Sequence, residues 1–122
     1  MNRPLITVPI GDPAGIGPEI VVKALALPQV TDTARVIVTG DSNILRQAAR
    51  ICGKDLRIHI VESPDQGDYR QGILNLIDLK NVDMDSFAYG QIQAMCGRAA
   101  YEYIEKSVRL AMEGQVDAVA TT

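Results

Sequence analysis

Gly11, Asp12, Gly15, Gly17 and Glu19 fall within one short run, Gly-Asp-Pro-Ala-Gly-Ile-Gly-Pro-Glu, and this is where the chain could do chemistry. Glycines admit positive φ and let a ligand approach the main chain closely. The run is not a Walker loop, because Gly17 is followed by Pro18 instead of Lys. Nor is it the common dinucleotide fingerprint, which needs a further Gly where Ile20 stands. Asp12 and Glu19 would partly cancel the positive end of a following helix and so disfavour a pyrophosphate. A neutral sugar, a hydroxyl-bearing substrate or a cationic nicotinamide ring suits such a turn better. A tight strand-to-helix connection, with Glu19 as an ordinary first-turn acid, accounts for the same residues.

Other reactive side chains have plainer explanations. Asp78, Asp83 and Asp85 could hold a cation, but they lack the Gly and closing Glu of a calcium loop and read as a solvated loop. His59 alternates with Ile58 and Ile60 on a strand, and one histidine cannot make a three-ligand metal site. Arg98 and Arg109 could reach a phosphate, yet Glu102 and Glu105 are in range for surface ion pairs. Ser42 follows Gly40-Asp41 and reads as a helix cap. Thr121 and Thr122 end a strand and could line a pocket by position. Cys52 and Cys96 form no CxxC pair, so they read as small buried residues in a reducing cytosol.

The elements that must position these residues alternate in type. Residues 5–10 are apolar and β-branched, a buried strand with Pro9 near its end. Pro18 suits the first position of a helix with Ile20, Val21, Ala24, Leu25 and Leu27 on its apolar face, stopped by Pro28. Residues 34–40 predict a second strand. Asp41 or Ser42 then caps a helix that ends at Gly53. Residues 56–61 predict a third strand and 72–79 a further one, with a polar loop over 62–71 between them.

The longest periodic stretch runs from Gly90 to Glu113. Ile92, Met95, Cys96, Ala99, Ala100, Tyr103, Ile104, Val108, Ala111 and Met112 recur at helical spacing, predicting one apolar face. Gly97 within it would mark a close helix contact. Residues 117–122 predict a last strand. Strands alternating with helices imply an α/β, three-layer fold around a mostly parallel sheet. The chain stops at a predicted strand end, where open α/β folds face their ligands, so a truncated domain is expected.

Composition narrows the function. The chain has 122 residues, a formal charge of −3, 47% hydrophobic and 22% charged residues, which fits one globular domain. It has no basic field for nucleic acid, and with four Tyr, one Phe and no Trp it has little to stack on bases. The short apolar start, broken by Pro9, makes neither a signal peptide nor a membrane span, so a cytoplasmic protein is expected.

The run Gly11 to Ile20, straight after a strand and followed by Val21-Val22-Lys23-Ala24-Leu25, closely resembles the opening of the 4-hydroxythreonine-4-phosphate dehydrogenase family. Gly97 to Ile104 and Gly114 to Thr122 match the same family in order, so the resemblance covers the whole chain. It implies a fold like that of isocitrate and isopropylmalate dehydrogenases, with residues 1–122 forming an incomplete domain of a two-domain enzyme. It also implies that Asp12, Gly15, Ile16 and Gly17 lie beside NAD. The family chemistry is metal-assisted oxidation of a small phosphorylated hydroxy acid, in the type member feeding pyridoxal phosphate synthesis, by a homodimer. The family's metal-binding histidines and its substrate-holding His-Thr pair, Lys, Asn and Arg lie beyond the position matching Thr122. No catalytic or metal residue is therefore assigned to this chain, which alone should be inactive. Two alternatives are a relative acting on another four-carbon phosphorylated acid or a dihydrodiol, and a non-catalytic α/β binding module.

Overall fold

A computed structural model describes residues 3–122. The first strand, β1 (Leu5–Pro9), ends on its proline, where the missing N–H breaks no ladder bond. The next amide, Ile10 N, donates to Thr39 O at 3.1 Å. A glycine-rich turn leads into helix α1 (Gly17–Leu25), with Pro18 in its first turn. Pro28 ends that helical stretch, as expected, but also opens a second helix, α2 (Pro28–Thr33), which the sequence pattern did not announce. Leu27 is extended, with φ −87° and ψ 122°, as a residue before proline tends to be.

Strand β2 (Arg35–Gly40) leads to helix α3 (Ser42–Cys52). Asp41, not Ser42, is the cap: its Oδ1 accepts from Asn43 N at 2.9 Å and Ile44 N at 3.2 Å. Gly53 closes α3 in the left-handed region at φ 64°. Strand β3 (Arg57–Ile60), a 3-10 turn at Pro64–Gln66 and strand β4 (Ile73–Asp78) follow. Helix α4 (Ala94–Met112) starts four residues later than the periodicity predicted, because Gly90 to Gln93 belong to the preceding loop. Strand β5 is only Ala118–Val119, shorter than the expected 117–122. Ala120 N still donates to Thr7 O at 3.0 Å, carrying the pairing one step further.

These strands form a five-stranded sheet in the order β3-β4-β2-β1-β5, every neighbouring pair parallel. Side-chain alternation sends Val8, Val36, Val38, Leu74 and Leu76 to one face, where they join a core with Val21, Val22, Leu25, Ile44 and Leu45 of α1 and α3. Thr7, Ile37, Thr39 and Ile77 point to the other face, under α4. The fold is the expected α/β three-layer arrangement.

Helix α4 buries Cys96, Ala99, Tyr103, Ser107 and Leu110. Ser107 Oγ lies 2.9 Å from both Thr7 Oγ1 and Thr39 Oγ1, and Thr39 Oγ1 donates to Tyr103 O at 3.0 Å. The predicted single apolar face is therefore split. Tyr101, Ile104, Val108 and Met112 form a second stripe that faces solvent, and Ile92 lies exposed ahead of the helix. Gly97 touches nothing: a Cβ built there meets open space, so the expected close contact is absent among the described residues.

Candidate functional site

Gly11 turns the chain out of the sheet at φ 76°, a conformation that favours glycine. Asp12 then holds the turn with its own atoms. Its Oδ1 accepts from Ala14 N at 2.8 Å and its carbonyl accepts from Gly15 N at 2.9 Å. Gly17 is fixed by packing, since a Cβ there would lie 2.0 Å from Ile10 O and 2.8 Å from Thr122 Oγ1. No side chain of any size fits.

The four residues that sequence resemblance put beside a cofactor are thus together on one turn, at the carboxyl ends of β1 and β5 where α/β sheets present their ligand crevice. Asp12, Gly15 and Ile16 are exposed, Ile16 by 71%, while Gly17 is half-buried. Ile16 is the N-cap of α1 and no side chain caps that end. The amides of Gly17 and Glu19 in the first turn are left for a ligand or water. Glu19 is the only acid in that turn, so the helix dipole is opposed by one carboxylate there. The Asp12 carboxylate is engaged with Ala14 N and does not cap the helix.

Two neighbours hold the turn in place. Thr122 Oγ1 donates to Pro9 O at 3.3 Å and packs against Gly11 and Gly17. Of the strand-end threonines, which by position could line a pocket, Thr122 borders the turn and Thr121 lies on the groove beside it. The second neighbour is the loop over 79–93, where Gly90 N donates to Ala14 O at 3.2 Å. No sequence signal announced this contact, which joins residues far apart in the chain. Cys96 lies buried near the same place, and burial, with Asp12 adding to it, pushes its thiol up from the usual range. Such a thiol stays protonated and inert at neutral pH.

Adjacent acids are structural. Asp41, 2% exposed, caps α3 and its Oδ2 also accepts from Val82 N at 3.3 Å. Asp78 Oδ1 accepts from Ser42 N and Lys80 N, and Asp83 accepts from Asp85 N and Ser86 Oγ. Among the described residues no three His, Cys, Asp or Glu side chains gather as a metal site. Lys80, at φ 50°, is the one non-glycine in the left-handed region among them. Tyr103 donates from its hydroxyl to Asn81 Oδ1 at 2.6 Å, and burial raises its phenol well above the ordinary range. Of the expected surface pairs, Arg109 meets Glu105 at 3.4 Å, an exposed contact worth little. His59 Nε2 lies 3.2 Å from Gln66 O, at the far edge of the sheet and away from the turn.

Beside the turn, an apolar groove of about 180 Å³ runs between α1 and β5, walled by Val8, Ile20, Ala24, Ala120 and Thr121. No helix among the described residues is long and apolar enough to cross a membrane.

Comparison with known proteins is consistent with this geometry. The model of the family described as "Pyridoxal phosphate biosynthetic protein PdxA" matches residues 32–122. A provisionally named D-threonate 4-phosphate dehydrogenase of Fusobacterium nucleatum is 53% identical over 98% of this chain and 36% of its own length. The crystal structure of a 4-hydroxythreonine-4-phosphate dehydrogenase from Burkholderia phymatum superimposes with a TM-score of 0.95 at 39% identity, over 99% of this chain and 36% of that one. A terephthalate 1,2-cis-dihydrodiol dehydrogenase from Burkholderia xenovorans aligns at 0.75 and 33% identity, over 97% of this chain and 33% of that one. The chain spans about a third of the length of these relatives. A family match over three quarters of its residues places the chain in the PdxA family, and the TM-score of 0.95 agrees with it.

Proposed function

We propose that the intact protein is an NAD-dependent dehydrogenase of a small phosphorylated hydroxy acid, and that these residues supply part of its cofactor site. The observation that carries this reading is the turn from Gly11 to Gly17, exposed at Asp12, Gly15 and Ile16, with uncapped helix amides at the sheet's carboxyl edge. The residues fit such a cofactor. Gly15 lets a ligand approach the main chain, and exposed Ile16 offers an apolar surface for a flat ring. Asp12 would accept a hydrogen bond from a ribose hydroxyl or a carboxamide, and Gly17 keeps the turn in register with β1 and β5. Asp12, Gly15, Ile16 and Gly17 would hold NAD, which would supply a hydride acceptor for oxidation of a secondary alcohol.

The substrate reading rests on the relatives' names. D-threonate 4-phosphate and 4-hydroxythreonine 4-phosphate are both four-carbon acids phosphorylated at one end. The higher identity, 53% against 39%, favours the threonate. The dihydrodiol dehydrogenase, at a TM-score of 0.75, supports a cyclic diol less well. A divalent metal belongs to the same proposal, but nothing in residues 3–122 is assigned to hold it. So do a homodimer, a cytoplasmic location and a second domain.

The test is NADH production by the intact protein, with metal and NAD, against a panel of both phosphorylated acids and a dihydrodiol. D-threonate 4-phosphate should be oxidised fastest. Asp12→Asn should weaken NAD about tenfold, the worth of one hydrogen bond to a charged group. It should leave the KM of the phosphorylated acid nearly unchanged. If none of the alcohols reduces NAD, the reading is wrong.

A further inference from the structure

The turn from Gly11 to Gly17 is gripped from outside by a segment far along the chain. Between β4 and α4, Gly90 sits at φ 70° and aims its amide at Ala14 O, 3.2 Å away. The planar Ala14–Gly15 peptide is thereby held at both ends, because Gly15 N donates to Asp12 O at 2.9 Å. Asp12 supplies one bond from within the turn, and the loop supplies the other.

Gln93 shapes that loop. It stands at the N-cap of α4, where a short polar side chain ordinarily accepts from the helix amides, yet its side chain makes no capping bond. The Gln93 amide faces back instead. Its Oε1 accepts from Ala88 N at 3.1 Å and its Nε2 donates to Ser86 O at 2.7 Å. The residue itself is anchored, since its carbonyl accepts from Gly97 N at 3.1 Å in a helix tied to the sheet through Ser107. Tyr89, next to Gly90, is fixed separately: its hydroxyl donates to Gln47 Oε1 of α3 at 2.7 Å, and its ring meets Phe87 edge-on. A continuous line of bonds therefore runs from α4 through Gln93 and Gly90 to the turn.

We infer that Gln93 is a positioning residue for the Gly11–Gly17 turn: it folds the loop whose Gly90 amide fixes the Ala14–Gly15 peptide, so that affinity for a ligand on the turn is set from α4. The effect on binding rests on the reading of this turn as a cofactor site; the effect on the turn itself does not.

The experiment uses the full-length protein with Gln93→Met, close in length but without the amide, and separately Tyr89→Phe. Amide exchange is followed by mass spectrometry on peptides covering residues 11–17, 86–93 and 35–40, and NAD is titrated alongside. In Gln93→Met, exchange over 11–17 should quicken about five- to tenfold, the worth of one or two exposed hydrogen bonds, with 35–40 unchanged. The Kd for NAD should rise by about the same factor, while the KM of the phosphorylated acid stays within about twofold. Tyr89→Phe should act in the same direction but by only about two- to threefold, and the double variant should fall short of the product, because a loop already released has little left to lose. Wild-type exchange over 11–17 beside a quickened loop would overturn the inference. So would a rise that extends to 35–40, which marks general destabilisation. A turn that responds in a protein taking up no NAD would sink the cofactor reading and leave the positioning role standing.

Discussion

The two edges of the sheet are finished differently. At the β3 edge, Lys54, Asp55 and Arg57 are exposed, and charged residues of this kind discourage pairing with another chain. The loop over 62–70 is latched down beside it. Buried Asn75 on β4 accepts from Asp68 N and donates to Asp68 O, both at 2.8 Å. At the β5 edge the strand itself is Ala118–Val119, the exposed Asp117 before it is turned inward to accept from Leu5 N at 2.8 Å, and an apolar groove lies alongside on one face. An edge built to stay at the surface spends polar residues on it. The turn from Gly11 to Gly17 sits beside the edge that has the apolar groove.

The largest effect should come from closing the space at the β5 side. Gly17→Ala puts a carbon 2.0 Å from the main-chain oxygen of Ile10, which cannot move without shifting β1. A loss of about 3 kcal/mol or more is expected in urea unfolding of the intact protein, at the upper end for overpacking. At the other edge, Asn75→Ala removes both bonds that hold the loop and should cost about 2–3 kcal/mol. Faster amide exchange at Asp68 would accompany it; unchanged exchange would mean that the latch is not what holds the loop.

A matched pair then sets the β3 edge against the outward face of α4. Ile60 on β3 and Ile104 on α4 are almost equally exposed here, 46% and 43%. In the full-length protein Ile104→Ser should cost about 1.5–3 kcal/mol, as for a buried side chain, and Ile60→Ser within about 0.5 kcal/mol of nothing. Equal losses would abolish the contrast. The smallest effect is electrostatic. The hydrogen bond from Arg70, against a modest opposing desolvation, holds the Asp68 carboxyl down at about 2 from 3.8. A depressed acid stabilises the fold above its unfolded value and loses that contribution as pH falls from about 4 towards 2. Because Arg70 is exposed and Asp68 only half-buried the gain is slight, and an NMR titration is the better readout. Arg70→Gln should return Asp68 towards 3.8.

Much of this architecture was legible in the residues. The first four strands, a helix cap at Asp41 or Ser42 and the Gly53 stop follow from local rules, and the structure settles the cap on Asp41. Helix α4 was located by its period but its faces were misjudged. Ile104, Val108 and Met112 carry the period outward, while Ser107, a polar residue, faces the sheet because Thr7 and Thr39 satisfy it. No hydropathy count can see such a partner. The second helix after Pro28 was missed because one proline both stopped and started a helix. At the site, the turn was legible because its glycines are local. Its supports, Gly90 and Thr122, are not, and depend on long-range closure.

The three hydroxyls beneath α4 carry one more consequence. Thr39 gives its proton to the carbonyl of Tyr103, so Ser107 has to give its own to Thr39, and Thr7 is left to give to Ser107. The row has a fixed sense, like a zip with one pull. Valine at Thr7 would merely leave one lone pair of Ser107 empty, whereas valine at Thr39 would remove the acceptor of the Ser107 proton and the second donor to the Tyr103 carbonyl, which keeps its helix bond. The helix is thereby indexed to the sheet at a single rung: slid by one turn it would lose every partner in the row. That index fixes which way Tyr101 and Val108 look.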